Sequence, residues 1–89
     1  MSKYTASPTP RFSKHLKAIK RDAVLLSRLN RKMKEIREDP HHYKPLRNVL
    51  KNHFRVHVGS YVLIFEVRET EKTVVFHTFL HHDEAYTKE

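Results

Sequence analysis

The chain has no cysteine, no tryptophan, one glycine and ten acidic residues against eighteen basic ones. Without cysteine there is no disulfide framework and no thiolate to act as nucleophile or metal ligand. No apolar run is long enough to span a bilayer, and the first residues lack the apolar core of a signal peptide. The expectation is therefore a cytoplasmic protein with no membrane partner. A lone glycine leaves one obvious place for a backbone turn at positive φ, and that place is Gly59. At 89 residues the chain is the size of one small domain, 1–89, with a limited core.

What is present is positive charge, unevenly placed. The formal net charge is +8, and eight histidines can add to it below about pH 6.5. Residues 11–55 hold 14 basic and 4 acidic side chains, a net +10, and the remainder holds 4 and 6, a net −2. A charge this lopsided marks a surface for a polyanion, nucleic acid or an acidic protein, more than a merely soluble exterior.

The periodicity divides the chain into helices and then strands. Residues 1–8 are a tail or, around Lys3–Ala6, a short edge strand. Thr9 suits a helix N-cap with Pro10 at the first helical position. Phe12, Leu16 and Ile19 follow at helical spacing. Asp22 caps a second helix whose apolar stripe is Leu25 or Leu26, Leu29, Met33 and Ile36, ended by Asp39-Pro40. Lys14, Lys17, Arg21, Arg28, Arg31, Lys32 and Lys34 give the pair a basic exterior. Residues 40–52 have no clear period and read as a loop pinned by Leu46, Val49 and Leu50.

Beyond that the period becomes two, predicting strands at 53–58, 61–68 and 73–80, with a tight turn at Gly59-Ser60 and a second turn at Glu69–Lys72. The strand 61–68 is apolar on both faces, which suits a central position. Pairing across Gly59-Ser60 sets Val58 against Tyr61, Val56 against Leu63 and Phe54 against Phe65 on the face that the helices cover. It sets His57 against Val62, Arg55 against Ile64 and His53 against Glu66 on the open face. The fold class is α+β: two N-terminal helices on one face of a twisted, mainly antiparallel sheet of three or four strands. The run His81-His82-Asp83-Glu84-Ala85-Tyr86 closes the domain as a short turn or helix.

The open-face row His53, Arg55, His57 is the first candidate for chemistry. Arginine presents a planar fork to phosphate oxygens, and histidine takes or gives a proton near neutrality. Cleavage of RNA by its own 2′-hydroxyl needs a base for that hydroxyl, cations for the charge on phosphorus, and an acid for the leaving oxygen. In the terminal run, a helix would put His82 and Tyr86 on one face, with Tyr86 able to stack on a base. No metal site and no cofactor is expected. His41-His42 and His81-His82 are adjacent residues pointing apart, and His53 and His57 are too far apart along a strand to share an ion.

The order and spacing of these features resemble the RelE/ParE superfamily of type II toxins, over roughly residues 11–86. The resemblance rests on Phe12-x-x-x-Leu16, on Asp39-Pro40, on Lys44-x-Leu46-Arg47, on the hairpin Phe54 to Val67, and on His81 to Tyr86. It is strongest toward the RelE branch. It implies a ribosome-dependent mRNA endoribonuclease that works without a metal, opposed by an acidic antitoxin that wraps it. It also implies catalytic roles for Arg55 and His57 on the first hairpin strand, for His81 or His82, and for Tyr86. Lys44, Arg47, Lys51 and His53 would contact the RNA backbone. Many relatives carry a basic residue where His57 stands and an arginine where this chain has Val62, so the site is lighter in phosphate clamps and richer in histidine. Two other readings stand beside this one: a ParE-like toxin that poisons DNA gyrase and cleaves nothing, and an inactive RNA- or protein-binding module.

Overall fold

The computed structural model describes residues 3–45 and 52–87. Chain order is strand β1 (Thr5–Pro8), helix α1 (Pro10–Ala18), helix α2 (Ala23–Glu38), a 3-10 turn (Pro40–His42), strands β2 (Lys44–Pro45), β3 (His53–Val58), β4 (Tyr61–Arg68) and β5 (Thr73–His81), then helix α3 (His82–Thr87). One mixed sheet runs β1-β5-β4-β3-β2. It has five strands where three or four were expected, because Lys44–Pro45 inside the expected loop pairs antiparallel with Phe54 and Arg55. The expected edge strand lies slightly later, at Thr5–Pro8, and runs parallel to β5. The pinning residues Leu46, Val49 and Leu50 lie outside the described residues.

Local chemistry explains each helix boundary. The Thr9 hydroxyl accepts from the Phe12 amide at 3.1 Å and donates to the His77 carbonyl at 3.1 Å, so one side chain both caps α1 and ties it to β5. Asp22 Oδ1 accepts from the Leu25 amide at 3.0 Å to start α2, and Pro40 after Asp39 ends it. The apolar stripes are the expected ones: Phe12, Leu25, Leu29 and Ile36 are buried, and Leu16, Leu26 and Met33 pack against them. Outside this stripe, Lys14, Lys17, Arg21, Arg28, Arg31 and Lys34 are exposed.

The hairpin register is the one the alternation predicts, from Val58 opposite Tyr61 to His53 opposite Glu66. Gly59 takes φ +61° at its turn, a conformation that favours glycine. On the helix side, aromatic rings step across the sheet. Phe54 stacks on Phe65 at 5.4 Å, Phe65 meets Phe76 at 6.2 Å, and Phe76 meets Phe12 of α1 at 5.7 Å. Each such pair adds to the burial of large apolar rings.

Strand β5 is not regular. Phe65 pairs with Phe76 but Ile64 pairs with Thr78, so His77 is an extra residue in a bulge. The bulge lets Phe76 and Phe79, three apart in sequence, both enter the core at 0 % and 1 % exposure. Strict alternation would send one of them to the other face. That other face is only partly open, since Val62 and Val75 are buried there.

His15 on α1 accepts a hydrogen bond from the Phe79 amide through Nδ1 at 3.1 Å. Its pKa is lowered, first by burial and then by the Arg11 charge. The unfolded chain therefore binds more protons than the folded one between the folded pKa and about 6.5, so this group's contribution to stability is lost as pH falls through that interval. Denaturant midpoints measured across this range are expected to fall with pH. His15→Asn, which keeps an acceptor near the Nδ1 position but does not titrate, is expected to flatten that slope.

Candidate functional site

The pleat of β3 settles which side chains share a face. Phe54 and Val58 are buried on the helix side, while Arg55 and His57 are exposed on the other and His53 is partly covered. Across the sheet Arg55 lies in register with Lys44 of β2 and Ile64 of β4, and His57 with Val62. Arg55, Val56 and His57 line a shallow depression of about 280 Å³ together with Tyr43. The Tyr43 ring packs edge-on against Phe65 at 5.9 Å, and its phenol pKa is raised, chiefly by burial. A guanidinium, an imidazole and an aromatic ring thus line one concavity at the edge of β3. A larger depression of about 590 Å³, between the α1–α2 connection and Tyr61, is lined by Arg21 and Asp22 among small and apolar residues. It holds no histidine, so size alone does not locate proton-transfer chemistry.

The terminal histidines form a second group. His81 pairs with Tyr61 and its ring meets that of Tyr61 edge-on at 5.6 Å, on the helix side of the sheet. It therefore faces away from His57. His82 begins α3, its amide donates to the Ser60 carbonyl at 2.9 Å, and its ring stacks on His81 at 4.6 Å. Asp83 Oδ1 lies 3.2 Å from His82 Nδ1. His57, near the end of β3, and His82, at the start of α3, therefore both stand next to the turn Gly59-Ser60.

The remaining expected residues divide as follows. Lys44 sits on β2 opposite Arg55. Arg47 and Lys51 lie outside the described residues, and Tyr86 lies on α3. His53 is drawn away from Arg55 and His57 into a different cluster. Its ring stacks on His77 at 5.1 Å, and both rings approach Glu66, with His77 Nε2 at 2.9 Å and His53 Nε2 at 3.8 Å from Oε1. Arg68 Nε donates to Glu66 Oε2 at 3.2 Å. Desolvation raises the Glu66 pKa, but the hydrogen bonds from His77 and Arg68 outweigh it, so the net shift is downward.

Sequence reasoning paired His53 with Glu66 but did not find His77, because its arrival on this face depends on a bulge that alternation does not announce. It also left out Tyr43, whose bracket by Pro40 and Pro45 was the available signal.

The description "ParE toxin of type II toxin-antitoxin system, parDE" matches residues 7–86. A curated relative from Methanocaldococcus jannaschii, named as toxin RelE4, is 49% identical over 73 residues, covering 81% of this chain and 78% of its own length. Among solved structures, the isolated RelE toxin of E. coli superposes with a TM-score of 0.77 at 17% identity, covering 92% of this chain and 94% of that one. The toxin–antitoxin complex RelBE2 of Mycobacterium tuberculosis gives a TM-score of 0.74 at 24% identity, covering 88% of this chain and 96% of that one.

Because the Glu66 pKa is lowered, its contribution to stability is present above the ordinary carboxylate pKa and is lost as pH falls through the folded value. Glu66→Gln is expected to cost about 1 kcal/mol at neutral pH, less below about pH 4, as measured by urea unfolding at the two pH values.

Proposed function

The chain belongs to the ParE toxin family of type II toxin–antitoxin systems, and we propose that within it the protein is an endoribonuclease that cuts mRNA on the ribosome without a metal. The observation that carries this reading is the outward pair Arg55 and His57 beside Tyr43 at the edge of β3. The proton-transfer group His82 stands across the Gly59-Ser60 turn.

The chemistry assigns a role to each residue. His57 takes the proton from the 2′-hydroxyl, and the 2′-oxygen attacks the adjacent phosphorus. Arg55 binds the non-bridging oxygens as negative charge builds on them. The bond from phosphorus to the 5′-oxygen breaks, and His82 gives that oxygen a proton, leaving a cyclic phosphate and a 5′-hydroxyl. His81, stacked on His82, positions it. Tyr86 and Tyr43 offer rings for an unstacked base. Lys44, Arg47, Lys51 and His53 contact the RNA backbone, and the basic face of α1 and α2 meets the ribosome's phosphates. The protein acts in the cytoplasm, where mRNA is translated, and its antitoxin is an acidic chain that buries the basic open face of the sheet or displaces the terminal segment.

The experiment is to add purified protein to translating ribosomes and map mRNA ends. Cleavage in the A-site codon is expected. Arg55→Ala and His57→Ala are each expected to reduce it by about 10²–10⁴-fold with an unchanged circular dichroism spectrum. Cleavage that survives in both variants would place the chemistry elsewhere. The second reading is a toxin that cleaves nothing and instead poisons DNA gyrase; the matching family carries the ParE name. Intact mRNA together with lost supercoiling activity would establish that reading instead. Antitoxin affinity is expected to fall as salt rises, checked by titration at two ionic strengths. A salt-independent affinity would refute the electrostatic account of the partner.

A further inference from the structure

Glu66 and His77 take no part in the cleavage chemistry above and His53 serves there only as a backbone contact, yet the geometry of the three together points to a further use. Three adjacent strands each contribute one member: His53 from β3, Glu66 from β4 and His77 from β5. Register sets His53 directly opposite Glu66. On the other side Glu66 pairs with Val75, and the bulge brings His77, two residues further on, to Glu66. The two imidazoles lie nearly parallel, 19° apart, with both Nε2 atoms directed to the same carboxylate oxygen. The other oxygen is held by Arg68 at 3.2 Å. The side chains of His53, Glu66 and His77 are 14 %, 19 % and 31 % exposed, so the converging atoms are largely withdrawn from water but reachable.

We propose that His53, Glu66 and His77 form a binding site for a divalent transition-metal ion of the Zn²⁺ class, stapling β3, β4 and β5 together. One donor atom from each residue lies within 4.8 Å of the other two. In a tetrahedral zinc site with bonds of about 2.0–2.2 Å, neighbouring ligand atoms stand about 3.3 Å apart. The two nitrogen-to-oxygen distances, 2.9 and 3.8 Å, lie on either side of that value, so small ring movements complete the set. Two imidazole nitrogens and one carboxylate oxygen select zinc, cobalt or iron(II) over magnesium or calcium, which take oxygen ligands. Arg68 fixes the orientation of Glu66, as outer partners do around metal-bound carboxylates. Three protein ligands leave a fourth position open. His53 stands two residues before Arg55 on β3, so the two side chains share one face of that strand.

The test uses the full untagged chain, stripped with chelator and titrated with Co²⁺ alone while visible absorption is recorded, then with Zn²⁺ as competitor. One Co²⁺ per chain with the intense bands of a tetrahedral nitrogen–oxygen site is expected, together with a Zn²⁺-dependent rise in Tm of several degrees. His53→Gln, Glu66→Gln and His77→Gln are each expected to weaken binding at least about tenfold. The double variant His81→Gln with His82→Gln, which dismantles the more exposed group His81, His82 and Asp83, is expected to leave binding unchanged. In the unaltered chain, Zn²⁺ is expected to shift the ring resonances of His53 and His77, a readout that does not depend on any variant folding. Absence of binding, bands that persist in all three single variants, or bands lost only with His81 and His82 would overturn the assignment.

Discussion

Everything else in this protein depends on β4 being buried on both faces. Leu63, Phe65 and Val67 enter the helix-side core, and Val62 is sealed on the other side. A strand with that pattern has one acceptable register, because a slip of one residue exchanges its two faces. The hairpin then hands the same alternation to β3. The apolar demand of Phe54 and Val58 is what turns Arg55 and His57 outward. The position of the cationic row is thus a by-product of packing on the opposite face.

The second organising element is the bulge at His77. It reconciles two core phenylalanines at odd spacing, and in doing so it moves a histidine to the carboxylate of the neighbouring strand. Thr9 holds the same place from the other side, bonding to the carbonyl of His77 and to the first turn of α1. A structural irregularity and a chemically loaded cluster share one residue, as is common where bulges re-aim side chains.

Much of this was legible in the residues. Thr9-Pro10, Asp22 and Asp39-Pro40 announced the helix ends through capping and ring chemistry that act locally. Gly59 announced the hairpin turn, and the alternation from Phe54 to Val67 carried the register. The sheet's fifth strand was not legible, since Lys44–Pro45 is two residues long and exists only through pairing with Phe54 and Arg55. Nor was the separation of the histidines. His81 and His82 are adjacent in sequence, yet one ends a strand on the helix side and the other starts a helix against Ser60. His53, grouped by alternation with Arg55 and His57, is claimed by a partner 24 residues later. Side-chain clusters assembled from three strands leave no periodic trace.

The parallel pairing of β1 with β5 has a consequence for how the protein is made. Thr5 lies in register with Thr73, and Pro8 with Phe76. Parallel, distant pairings close slowly, because the chain between them must be ordered first. The amino-terminal strand has no neighbour to join until residues 73–76 are in place. The helices and the β3–β4 hairpin, whose contacts are closer in sequence, can form while that sheet edge is still unfinished. The β1 edge is therefore the part of the sheet whose completion depends on the most distant stretch of its own chain.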